Sequence, residues 1–127
     1  MAKNPVGWFE IYVADIARAR AFYEQVLSVR LNRLEGTGPG VDEMWAFPSD
    51  RGGFGASGAL VKMPGGPSGG NTSTIIYFMC DDCAVEAGRV AGAGGSIMKD
   101  KFGIGEYGFI ALVKDTEGNV VGLHSMR

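Results

Sequence analysis

The chain starts over at its midpoint. Laid on itself at an offset of 67 residues, it pairs Trp8 with Ile75, Tyr12 with Met79 and Asp15 with Asp82. In the first copy Phe9, Ile11 and Val13 alternate with Trp8, Glu10 and Tyr12, the signature of a strand with two differently furnished faces. Asp15 then stands where an N-cap carboxylate accepts the first free helix amides, and Ile16, Ala19, Tyr23, Val26 and Leu27 recur at helical spacing, which predicts a helix over 16–27. The second copy repeats this with a strand over 74–80, a cap at Asp82 and a helix over 83–91, stopped by Gly92, Gly94 and Gly95. Shorter strands are expected over 30–35, 43–47 and 56–63 in the first copy, and near 96–100, 108–114 and 120–124 in the second. The last two meet at the turn Asp115-Thr116-Glu117-Gly118-Asn119.

Each copy thus reads βαβββ, and a sheet covered by a single helix must bury its other face against its twin. The expectation is an α+β chain forming one domain over 1–127, with module one at about 1–63, a Gly/Pro-rich linker at about 64–73 and module two at about 74–127. The helices would cover Phe9, Ile11, Val13 and Ile76, Phe78, Cys80. The opposite faces, carrying Trp8, Glu10, Tyr12 and Ile75, Tyr77, Met79, would line what the two half-sheets enclose, and function is sought there.

Charge narrows the partners. Twelve Lys and Arg against 14 Asp and Glu give a net charge of -2, which offers no footprint for a nucleic-acid backbone or an anionic membrane. The apolar run over 75–80 is far too short to span a bilayer, and the first residues do not read as a signal peptide, so a cytoplasmic protein is expected. Glycine is abundant, 21 of 127 residues, and without a collagen-like period it points to turns and close backbone approaches. The two cysteines, Cys80 and Cys83, have C-x-x-C spacing at a strand-to-helix junction, where a helix N-terminus favours a thiolate. Against redox work, Cys80 falls on the helix-packed face and Asp81 and Asp82 oppose negative charge. The loop over 36–40 lacks the lysine of a phosphate loop, and Asn71-Thr72-Ser73 fits the glycosylation rule without an export signal to make use of it.

The stretches VGWFEIYVADIARARAFYEQVL at 6–27, IIYFMCDDCAVEAGRVAGAGG at 75–95 and DTEGNVVGLHS at 115–125 resemble the vicinal oxygen chelate superfamily, which includes glyoxalase I, extradiol dioxygenases and bleomycin-resistance proteins. One local departure is Ser28, where the family pattern usually has Gly. The resemblance implies a curved mixed sheet built from two tandem βαβββ modules, an open cup, and a homodimer. It also implies, for members that do chemistry, a divalent metal held by four side chains. Carried onto this sequence, the first falls at Trp8, the second near Gly58, the third at Ile75 and the fourth at Gly122, and no Asp, Glu or His occurs over 51–73. Divalent ions of this kind need imidazole or carboxylate donors. No metal ligands are therefore assigned and no cofactor is expected, with a divalent metal on other ligands, such as Glu10 with His124 or Glu43, left open.

The leading expectation is a protein that binds a small organic molecule in the cup without the usual metal. Trp8, Tyr12, Tyr77 and Ile75 would supply an aromatic, partly amphipathic wall, joined by Trp45 and by Tyr107 on a segment over 101–107 that is read as an ordinary turn or, alternatively, a mobile rim. Glu10 would be the polar hook, or would pair with a lysine or arginine of the protein itself. His124, the only histidine, would be a general acid or base near the mouth, or a solvated residue. The alternatives are a metal-dependent lyase, isomerase or oxygenase on other ligands, metal-free acid–base catalysis by Glu10 or His124, and an interaction module whose cup is filled.

Overall fold

The computed structural model describes residues 4–50, 52, 53, 55–66 and 73–127. The strands and helices in chain order are β1 (Val6–Tyr12), α1 (Ile16–Leu27), β2 (Asn32–Arg33), β3 (Glu43–Ala46), β4 (Ser57–Lys62), β5 (Thr74–Met79), α2 (Cys83–Val90), β6 (Ser96–Gly103), β7 (Phe109–Lys114) and β8 (Val120–Ser125). The chain is α+β, with two tandem βαβββ modules in this order. Its contacts gather into two compact units, one formed by Phe9–Thr74 and the other by Met1–Trp8 with Ile75–Arg127. Strand β1 is therefore divided between them at Trp8.

In the Phe9–Thr74 unit the strand order is β2-β3-β4-β1. β3 and β4 are antiparallel, with Trp45 opposite Leu60 and Met44 opposite Val61. Facing partners in such a pair share a side of the sheet. Leu60 belongs with Ile16 and Leu31 to the buried cluster beneath α1, onto which Ile11, Val13, Tyr23, Trp45 and Phe47 pack. Met44 and Val61 therefore face away from the helix. Helix α1 begins where Asp15 accepts the amide of Arg18 at 3.0 Å and ends at Ser28, which adopts φ 54° and ψ 48°.

In the other unit β5 and β8 are parallel, with Tyr77 opposite Gly122 and Met79 opposite His124. β8–β7 and β7–β6 are antiparallel, and β6 carries register shifts. Cys83 and Ala87 of α2 are buried on Ala111, Val113 and Leu123, with Phe78 and Cys80 packed against them. The helix-covered face is thus the one expected at Phe78 and Cys80. Ile76 differs: it is 42 % exposed, because the short helix α2 packs its cluster no farther along β5 than Phe78.

The duplication extends to individual hydrogen bonds at the offset read from the sequence. The amide of Val13 donates to Val61 O at 2.9 Å and that of Cys80 to His124 O at 2.7 Å, each joining the end of a module's first strand to its last. Tyr12 N donates to Ser73 O, and its counterpart Met79 N donates to Pro5 O, at 2.7 and 2.8 Å.

Two expectations are corrected. The strand expected over 30–35 shrinks to Asn32–Arg33, because Leu31 turns inward to 2 % exposure and its amide is held by Glu24. The strand expected over 96–100 continues to Gly103. The segment over 101–107, read as an ordinary turn or a mobile rim, is consequently strand followed by a tight turn, closed by Ile104 N to Gly108 O and Gly108 N to Gly105 O. Most of the linker, and Asn71 and Thr72 of the glycosylation motif, lie outside the described residues. No helix among the described residues is long and apolar enough to cross a membrane.

Candidate functional site

Alternation along β1 sets Trp8, Glu10 and Tyr12 on the strand face opposite Phe9 and Ile11. The Tyr12 hydroxyl donates to Glu10 Oε1 at 2.6 Å, and both residues are 8 % exposed. On the same helix-averse side of this unit lie Met44, Ala59 and Val61, all buried. A carboxylate and a phenol thus meet beside an apolar floor. Burying a carboxylate is costly unless it is hydrogen bonded, and the tyrosine supplies one such bond. The floor was missed in the sequence because its residues are small or ordinary, although Met44 could have been placed by alternation against Trp45.

Trp45 sits elsewhere. It packs on the cluster beneath α1, its indole N–H donates to Glu43 Oε2 at 2.9 Å, and the Arg20 guanidinium lies 3.5 Å from its ring centroid. Alternation in β3 puts it on the opposite side from Met44, so the structure does not bring it together with Glu10 and Tyr12. Glu43, raised as a metal ligand, is engaged on that side too. A hollow of about 360 Å³ beside the start of α1, lined by residues including Val13, Arg18, Tyr23 and Ser73, does not include Glu10.

In the other unit the ring of Tyr77 covers Gly122. A Cβ on Gly122 would come within 2.1 Å of Tyr77 Cδ2 and 2.3 Å of Cε2, so the glycine is required by the ring and not by backbone conformation. Tyr77 is 4 % exposed and Ile75 8 %. Two residues along β8, His124 is half-buried with Nε2 2.6 Å from the carbonyl oxygen of Tyr107. A carbonyl only accepts, so Nε2 carries a proton and donates to it. Tyr107 is half-buried in the turn after β6. His124 and Tyr107 are therefore neighbours through ring and backbone, as Tyr77 and Gly122 are through ring and Cα.

The cysteine pair does not suit redox work. Burial pushes the Cys80 thiol up to about 11, with the Glu86 carboxylate adding to the effect, and Cys83 is fully buried. Its helix N-terminus is already occupied: Asp82 Oδ1 accepts from Ala84 N at 3.0 Å and from Lys101 Nζ at 2.8 Å. These bonds hold the Asp82 carboxyl below its usual range, the Lys101 bond being the largest cause.

The four positions at which the resemblance would place a metal do not fit one. Trp8 and Ile75 offer no donor, Gly122 has no room for one, and Gly58 lies under the Phe9 ring, where a Cβ would be 2.3 Å from ring carbons. Because Gly58 is on the helix side, the outward residues of β4 are Ser57, Ala59 and Val61, which supply no carboxylate or imidazole. Among the described residues no three His, Cys, Asp or Glu side chains gather where they could hold an ion.

Comparison with known proteins agrees with the fold. Methylmalonyl-CoA epimerase from Mycobacterium tuberculosis superposes with a TM-score of 0.71 at 15% identity, covering 100% of this chain and 93% of that one. A hypothetical protein from Bacillus halodurans C-125 gives 0.71 at 14% identity, covering 99% and 96%. Streptomyces coelicolor methylmalonyl-CoA epimerase in complex with 2-nitronate-propionyl-CoA gives 0.66 at 18% identity, covering 98% of each chain. No curated protein matches by sequence. The profile of one family matches residues 6–123, nearly the whole chain, and the chain belongs to that family, the Glyoxalase/Bleomycin resistance protein/Dioxygenase superfamily.

Proposed function

We propose that this protein binds a small organic molecule, with an apolar or aromatic body and a hydrogen-bonding group, without a resident divalent metal. The observation that carries the reading is the buried Glu10–Tyr12 pair beside Met44, Ala59 and Val61. A carboxylate and a phenol that converge beside apolar side chains match the usual composition of a small-molecule site. Glu10 is the polar hook and Trp8, on the same strand face, the aromatic contact. Tyr12, bonded to the Glu10 carboxylate, and Tyr77, seated on Gly122, act as supports. Trp8 is half-buried and retains surface for contact.

In the other unit His124 is the candidate acid–base group should a molecule bound there also be transformed. The lack of a three-donor cluster among the described residues weighs against the metal-dependent alternative. The family resemblance supports one glyoxalase-like domain that acts as a homodimer, and the sequence's lack of a signal-like or long apolar stretch supports a place in the cytoplasm.

The test is a thermal-shift screen of small aromatic acids, phenols, short acyl compounds and methylmalonyl-CoA, the last because solved structures of this fold are named for it. Binding raises the melting temperature by mass action. A hit on the wild type that is weakened at least tenfold in both Glu10→Gln and Trp8→Ala supports the site. A hit bound equally by all three proteins removes it.

A further inference from the structure

We infer that Tyr77 is the residue that closes this protein to a divalent metal, so that binding and any chemistry on that face proceed without one. The inference rests on the metal-free part of the reading above and supplies its physical cause. Three of the carried-over metal positions, Trp8, Ile75 and Gly122, fall in the unit containing β5 and β8. Two of them lack donors by identity alone, which a substitution could repair. The third is closed by volume.

Tyr77 and Gly122 are direct partners across the parallel pair β5–β8. The ring spans the glycine so closely that a Cβ would meet Cδ2 at 2.1 Å, Cε2 at 2.3 Å and Cγ at 2.8 Å. No side chain can begin at 122 while the ring is there, and a carboxylate least of all. The ring cannot readily move aside, because Tyr77 is 4 % exposed and close-packed surroundings do not yield an aromatic's volume without strain. The nearby Ile75, 8 % exposed, shares the strand face with Tyr77. An incoming ion at Gly122 would therefore meet aromatic and aliphatic carbon, with His124 the one imidazole on that strand face, and a single donor does not compensate the loss of its hydration. The arrangement is also self-consistent: glycine at 122 is costly in a strand interior, and packing under the ring is what the cost secures.

The experiment has two arms, both on the full chain. In the first, untagged protein is analysed for bound metal by elemental mass spectrometry, then challenged singly with nickel, zinc, manganese, cobalt and ferrous iron while melting is followed. The expected result is metal far below stoichiometric and a melting shift under about 1 °C for every ion. Near-stoichiometric metal with a rise in melting temperature overturns the inference. In the second, Gly122→Ala is made in the wild type and in Tyr77→Ala, or in Tyr77→Val should the alanine variant not fold. The alanine at 122 should lower the wild-type melting temperature by about 3 to 15 °C and cost far less once the ring is gone. An equal cost in both backgrounds means the ring is not the obstacle and overturns the inference. Failure of the organic-molecule reading looks different: no probe binds, while metal remains absent and the two backgrounds still differ.

Discussion

The phenol of Tyr12 and the carboxylate of Glu10 stand two residues apart on one strand and meet in a hydrogen bond of 2.6 Å, with both side chains buried. Residues two apart share a strand face, so β1 by itself aligns donor and acceptor. The pairing keeps a carboxylate on a face that the helix does not cover.

Tyr12→Phe should therefore destabilise the protein by about 1.5 to 3 kcal/mol, the range for a hydrogen bond to a charged partner, although it removes a single oxygen atom. Urea unfolding of wild type, Tyr12→Phe, Glu10→Gln and the double variant checks this. The double variant should cost less than the sum of the singles, since both remove one shared bond. Full additivity would mean that the two groups do not depend on each other.

The fold was legible because its strongest signals are periodic and repeated. The Asp15 and Asp82 caps, the alternation of β1 and β5, and the offset joining them are all set by local backbone geometry. The candidate site was legible only in part. Alternation placed Glu10 and Tyr12 on one face, yet it could not say that their side chains bond. Trp45 was grouped with the ligand contacts by its chemistry, whereas its register opposite Leu60 turns it beneath α1. The seat of Tyr77 on Gly122 joins residues 45 positions apart, and no local pattern encodes that meeting.

Ser28 is the one described residue other than glycine with positive φ, 54°, and it ends α1 with its amide bonded to Glu24 O. A side chain there crowds the backbone, and helices usually finish such a turn with glycine. Ser28→Gly should stabilise the protein by about 0.5 to 1 kcal/mol, the relief of strain being partly offset by glycine's greater freedom when unfolded. Ser28→Val should move stability the other way. Chemical denaturation of both variants decides the matter, and a destabilising Ser28→Gly would count against strain at this cap.

Asp82 caps α2 and accepts from Lys101, and its carboxyl is held below the ordinary value of 3.8. A carboxylate whose pKa is depressed by folding contributes stability that is fully present above the unfolded pKa and lost as pH falls through the folded one. The contribution should be level from neutral pH down to about 5 and fade below about 4. Asp82→Asn should lower the melting temperature at pH 7 while flattening its acid limb, and Lys101→Met should flatten it less, because the Ala84 bond remains. Asp115, similarly lowered by bonds to Asn119 and Glu117, contributes on the same limb, so both variants should be compared with Asp115→Asn. An acid limb unchanged in Asp82→Asn would show that this cap is not linked to acid unfolding.

Cys80 gives the opposite limb. Burial first, and then the Glu86 carboxylate, push its thiol from 9.0 to about 11. The proton is bound more tightly in the folded protein, so as pH rises past about 9 the unfolded chain ionises first and stability falls until the folded thiol titrates near 11. Melting measured from pH 8 to 11 should show this decline, and Cys80→Ala should reduce it. Since the thiolate is the nucleophile, alkylation of native Cys80 at pH 7.5 should be slow compared with a free thiol. Glu86→Gln should speed the reaction at pH 9, by removing the negative charge that disfavours ionisation, and leave buried Cys83 unmodified. Rapid alkylation of Cys80 at neutral pH in the folded wild type would mean that its surroundings favour the thiolate, and would reopen a redox role for the pair.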